Sequence, residues 1–270
     1  MMRKLLMLAL LASAAVAIIV TPATAKPTGA NGLISFTRFV CGERILNPDT
    51  GSYTQLPTFY PGLGLFLPCM IWSPDAARLA CEGFGGDPAD DGVYTINSLD
   101  GSDVKRVTSG GDDDCPGDYS PNGKRLVFLR ASFELGVQGL FVVKTDGTDL
   151  QQLTPAGMDL NFNCGSWSPQ GNEILFSAHS PRGARSSIFA VHADGSGLRQ
   201  IPIAGCGSAA GCFEPVWSPD GTKIGFTMFV PQIGQADLYT VNADGTGLYQ
   251  VTQAGLGAGL KDWGAHPLTR

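Results

Sequence analysis

Trp217-Ser218-Pro219-Asp220-Gly221, followed by Val241-Asn242-Ala243-Asp244-Gly245-Thr246-Gly247-Leu248-Tyr249-Gln250-Val251-Thr252, is the stretch on which the fold turns. Earlier versions of its first motif stand at Trp72-Ser73-Pro74-Asp75, Tyr119-Ser120-Pro121-Asn122-Gly123 and Trp167-Ser168-Pro169-Gln170-Gly171, with their aromatic residues 47, 48 and 50 residues apart. The second motif returns as Asp100-Gly101, Asp146-Gly147 and Asp194-Gly195, each 27 or 28 residues after its aromatic. Two motifs in phase over four copies mark stacked or radial units.

Each copy holds four strand-like stretches. In the last they are Val216-Trp217, Lys223 to Phe226, Asp237 to Asn242 and Leu248 to Thr252, with Ile224 and Phe226 alternating against Gly225 and Thr227. Ser-Pro-Asp-Gly is a turn because proline presets φ, aspartate bonds its own backbone and glycine accepts positive φ. Asp-Gly between two apolar runs is likewise a hairpin signal. Four antiparallel strands per repeat describe the blades of an all-β propeller. The chain enters mid-repeat, with Leu33 to Phe39, Glu43 to Leu46 and Tyr53 to Leu56 matching strands two to four. Asp262-Trp263-Gly264, 46 residues after Trp217, is in phase to supply the missing first strand. The expectation is five four-stranded blades closed by the C-terminal strand, with Trp72, Tyr119, Trp167, Trp217 and Trp263 packing between blades.

The W-S-P-D-G and N-A-D-G-T-G-L-x-Q-V-T copies resemble the WD-like repeats of the TolB-like β-propeller family, over residues 32 to 267. Similar repeats occur in the propellers of prolyl oligopeptidases. TolB itself adds an N-terminal α/β domain and has six blades, whereas this sequence has room for five. The resemblance therefore implies the fold and leaves open the part TolB plays in the Tol–Pal envelope system.

Residues 1–25 read as a signal peptide, with Arg3 and Lys4, an apolar run from Leu5 to Val20, and Ala23-Thr24-Ala25 as the cleavage signal. Residues 26–270 then form a single domain outside the cytoplasm, with no membrane span. Loss of Arg3 and Lys4 takes the formal charge from -6 to -8, which disfavours nucleic acid as a partner. Export makes the seven cysteines disulfide candidates before metal ligands. Cys206 and Cys212 lie in one connection. Cys69 falls beside Cys81 across a tight turn, and Cys115 and Cys164 occupy equivalent places in neighbouring repeats. Cys41 is left unpaired.

If strands run outward from the axis, the repeated turns share one end of the molecule and the dissimilar connections share the other. Binding residues concentrate on such connections. The candidates there are Phe59 and Tyr60 for stacking, Asp112, Asp113 and Asp114, and the basic group of His179, Arg182 and Arg185. Asp112 to Asp114, with Asp87, Asp90 and Asp91, could take Ca²⁺ through carboxylate oxygens, or form a solvated acidic loop; no other cofactor is indicated. No G-x-S-x-G elbow is present, and His179, His192 and His266 form no ligand-like pair. The expected function is a non-catalytic binding or scaffold module for a protein or cell-envelope glycan. The alternative is a metal-dependent polysaccharide lyase or hydrolase acting at the axis.

Overall fold

The computed structural model describes residues 34–38, 42–46, 52–110, 113–132, 137–161, 164–179, 185–231 and 234–252. They form five successive antiparallel sheets. The first has three strands, β1 (Ile34–Arg38), β2 (Gly42–Leu46) and β3 (Tyr53–Gln55). The second begins with a short hairpin, β4 (Phe59–Tyr60) and β5 (Leu65–Phe66), and continues through β6 (Cys69–Trp72), β7 (Arg78–Gly85), β8 (Gly92–Asn97) and β9 (Lys105–Arg106). Sheet three holds β10 (Asp113–Tyr119), β11 (Arg125–Ser132), β12 (Val137–Lys144) and β13 (Gln151–Gln152). Sheet four holds β14 (Ser166–Trp167), β15 (Glu173–His179), β16 (Ser186–His192) and β17 (Arg199–Gln200). Sheet five holds β18 (Gly211–Trp217), β19 (Lys223–Val230), β20 (Gln235–Asn242) and β21 (Tyr249–Gln250). The expected leader, Cys41 and the expected closing strand at Trp263 lie outside the described residues.

The turn motifs explain why the sheets repeat. Ser73 Oγ donates to Asp75 Oδ1 at 2.6 Å and accepts from Arg78 N at 2.9 Å, and Ser218 repeats both bonds with Asp220 and Lys223. In sheet four the third residue is Gln170, one methylene longer, and Asn172 Oδ1 takes over as the partner of Ser168 Oγ at 3.0 Å. Each Asp-Gly turn closes in the same way, as Asp146 and Asp244 accept from the Thr148 and Thr246 amides at 2.9 Å. Cross-links such as Ser98 N to Ala77 O and Ala243 N to Thr222 O tie the two turns of a sheet together.

One turn breaks the rule. Gly123, Gly171 and Gly221 hold φ of 70°, 75° and 72°, but the equivalent residue of sheet two is Ala76 at φ 58°. A Cβ in the left-handed region costs about 1–2 kcal/mol, partly offset by the greater freedom glycine gives the unfolded chain. Ala76→Gly should therefore raise stability by about 1 kcal/mol in equilibrium denaturation. An unchanged or lowered midpoint would count against the strain.

Much of the hydrophobic core lies between sheets: of four clusters among the described residues, three straddle a seam. Trp217, Ile224 and Phe226 of sheet five pack on Leu175, Ile188 and Ala190 of sheet four, and Trp167 and Phe176 pack on Val127 and Leu140. Tyr119 and Phe128 meet Ala80, Val93 and Val107, while Leu56 joins Trp72 and Tyr94. Phe128–Phe141, Phe176–Phe189 and Phe226–Tyr239 stack at one register position of sheets three to five. Sheet two has Cys81 opposite Tyr94 there, and Cys81 bonds to Cys69. Two further disulfides join Cys115 to Cys164 and Cys206 to Cys212.

Candidate functional site

Strand order places the repeated turns at one end of each sheet and the connections at the other. The connecting end is more ordered than its irregular sequence implies. Residues 57–69, expected as a plain connection, contain the β4–β5 hairpin, in which Phe59 faces Phe66 and Tyr60 faces Leu65. Leu65 and Phe66 pair in turn with Gly85 and Phe84. Alternation sends Leu65 inward, only 3% exposed, and leaves Phe59 and Phe66 44% and 47% exposed. Tyr60 anchors the hairpin by donating from its hydroxyl to Gly101 O at 2.9 Å. Burial first, and then the Asp100 charge, hold that hydroxyl above the ordinary tyrosine pKa.

The Asp-rich stretch is also ordered, which corrects the expectation of an acidic loop at Asp113 and Asp114. Both belong to β10, and Asp114 is buried. Its Oδ1 accepts from Arg130 Nε at 2.7 Å, and its Oδ2 accepts from Arg130 Nη2 at 2.8 Å and from Thr108 Oγ1 at 2.5 Å. The guanidinium also covers the Phe128 and Phe141 rings at 5.4 and 5.5 Å. A charge so buried needs this partnering, so Asp114 is part of the seam between sheets two and three. Asp112 lies outside the described residues. Asp87 caps the 3-10 turn Pro88–Asp90, and buried Asp91 accepts from Gly85 N at 3.2 Å.

Glu82 belongs to this neighbourhood and has no counterpart in the repeat, where Leu129, Ser177 and Thr227 hold its register position. Burial, followed by the carboxylates of Asp113, Asp91 and Asp114, raises its pKa to about 7. The fold therefore holds a proton more tightly than the unfolded chain does. Stability is greatest below the ordinary glutamate pKa and is lost as pH rises through about 7. The expected loss between pH 5 and pH 8 is about 2–3 kcal/mol. Glu82→Gln should remove that slope and unfold later than the parent at pH 8. A pH-independent parent would contradict the assignment.

His179 ends β15, and its Nδ1 lies 2.9 Å from Asp159 Oδ2 with both side chains about half exposed. Arg185 is half-buried just before β16, and Arg182 lies outside the described residues. The expected site residues thus fall in three places: the hairpin, the seam at Asp114, and the pair at His179. Among the described residues no group of three or more His, Cys, Asp or Glu gathers as a metal site. At the opposite end, clefts of about 640 and 490 Å³ open between successive turns. Charges in the larger are already engaged, Arg78 with Thr95 and Asp103 and Asp146 with Thr148.

No protein-family model and no curated protein matches the chain. Among solved structures, TolB from Agrobacterium tumefaciens superposes with a TM-score of 0.66 at 19% identity, over 82% of this chain and 76% of that one. The chain has the fold of a TolB-like β-propeller. TolB from Acinetobacter baumannii gives a TM-score of 0.61 at 18% identity over 88% of this chain, which spans 52% of that protein. The same TolB-like propeller fold is shared with an oligogalacturonate lyase in complex with manganese, at a TM-score of 0.62, 10% identity, and 83% and 62% of the two chains. No helix among the described residues is long and apolar enough to cross a membrane.

Proposed function

We infer that this TolB-like propeller is an extracytoplasmic, non-catalytic binding module that engages a protein or a cell-envelope glycan with its connection-bearing end. The observation that carries the reading is the β4–β5 hairpin. Among the described residues the connections after β9, β13 and β17 hold no hairpin of this kind, the last having one isolated bridge, Cys206 to Ala210, so the repeat does not require it. Its inner residues are fixed while its outer aromatics meet solvent, the arrangement of a recognition element on a rigid scaffold. The signal-like leader and three disulfides support an oxidising compartment. Trp263, in phase with the repeat, supports a ring of five blades in which the C-terminal strand completes the three-stranded first sheet.

The test is capture of partners from envelope extract beside a glycan array. Phe59→Ala should weaken capture by about tenfold and leave the unfolding midpoint in place. Asp220→Ser, in a repeated turn, should lower stability and spare binding. Binding that followed the turn variant and ignored the hairpin would overturn the reading. The likeness to a manganese-bound lyase supports a rival, metal-dependent cleavage of polysaccharide at the axis. Formation of unsaturated product from oligogalacturonate with Mn²⁺ would establish that instead.

A further inference from the structure

Of these three places, the hairpin is the one whose chemistry names an occupant. Phe59, Phe66 and Phe84 lie side by side on β4, β5 and β7, with ring centroids 4.7 and 5.8 Å apart and planes inclined by 39° and 17°. Phe59 and Phe66 are exposed and Phe84 is partly buried, and exposed Leu63 at the hairpin tip continues the row. A sugar needs an open, flat ring face to lie on. This short row of tilted and partly buried rings offers instead an apolar strip on which aliphatic side chains of a partner can pack.

Two further observations narrow the choice. β4 is the last strand of its sheet among the described residues, and an edge strand is where an extended chain can add. The strand that carries Phe84 then runs through Gly85 and Gly86 into the exposed Asp87. A Cβ built at Gly85 would meet Leu65 at 3.1 Å and Asp90 at 3.6 Å, so the acidic turn abuts the hairpin. With a formal charge of -6 on the chain, an anionic lipid surface is repelled and a cationic chain attracted.

We propose that the Phe59–Phe66–Phe84 row and the β4 edge dock an extended, positively charged segment of another protein, whose aliphatic side chains pack on the rings as it adds a strand. The proposal rests on the binding reading above and specifies its partner. The probes are two short labelled peptides, one alternating lysine with valine and one alternating glutamate with valine, titrated into the whole chain. The lysine peptide should bind, and bind more weakly at high salt. Phe66→Ser should cost about tenfold or more in affinity, and Asp87→Asn, which preserves the turn's cap, a smaller factor. Both variants should keep the parent's unfolding curve. Equal binding of the glutamate peptide, or affinity untouched by Phe66→Ser, overturns the proposal. So does a Phe66-dependent oligosaccharide or anionic vesicle in place of the peptide. If envelope capture is lost in Phe59→Ala but the lysine peptide does not bind, the cationic partner fails while the binding module stands. If no hairpin variant alters capture, the binding reading fails first.

Discussion

Replacing Arg130 with methionine should destabilise the protein by about 3–5 kcal/mol, because it leaves the Asp114 carboxylate buried without its counter-charge. The Asp114 side chain is 1% exposed and that of Arg130 16%, so water cannot take the guanidinium's place. Methionine keeps the aliphatic bulk over Phe128 and Phe141, which isolates loss of charge from loss of packing. The paired change Asp114→Asn with Arg130→Met should recover most of the loss, since it removes the stranded charge as well as its partner. Urea denaturation of the parent, both single variants and the double variant measures this directly. A single-variant loss below about 1 kcal/mol would mean that water reaches the seam.

A change of similar size is expected at the bridge between sheets three and four. Cys115 and Cys164 are 49 residues apart, with Cα atoms separated by 5.9 Å. Closing a loop of that length removes enough freedom from the unfolded chain to contribute about 4 kcal/mol, against about 2 kcal/mol for the six-residue loop between Cys206 and Cys212. The Cys115→Ser, Cys164→Ser variant should therefore lose about twice as much stability as Cys206→Ser, Cys212→Ser. The long bridge also joins strands that already touch, because a Cβ at Gly117 would overlap the Cys164 carbonyl. Paired denaturation curves under non-reducing conditions test the ordering. Equal losses would indicate that native packing, not chain freedom, sets the contribution of each bridge.

The parts of this structure legible in the sequence are those the repeat writes several times. Trp-Ser-Pro-Asp-Gly and Asp-Gly specify their turns through bonds only two to five residues long, as between Ser218, Asp220 and Lys223, so local reading finds them. The cysteine pairs are legible for related reasons: one connection holds Cys206 and Cys212, a tight turn brings Cys69 beside Cys81, and repeat phase places Cys115 beside Cys164. What was not legible depends on partners far along the chain. Asp113 and Asp114 look like loop residues until Arg130, 16 residues beyond Asp114, is seen to neutralise the second. Phe59 and Phe66 sit in a stretch without repeat phase, and their exposure follows from pairing with a strand extended to Gly85. Glu82 carried one faint signal, a carboxylate in the apolar run Leu79-Ala80-Cys81-Glu82-Gly83-Phe84.

The seam-straddling clusters have a consequence for the order in which the chain can acquire structure. Sheets three and four do not bury their apolar flanks by themselves: Val127 and Leu140 wait for Trp167, and Leu175 and Ile188 wait for Trp217. A chain growing from its N-terminus therefore carries an unfinished flank when sheet three or sheet four is its newest, covered only when the next repeat arrives. Interruption after either sheet leaves a sticky nascent face of the same kind, so a ribosome that pauses after one of these repeats exposes the growing molecule to the same hazard as a pause after the other.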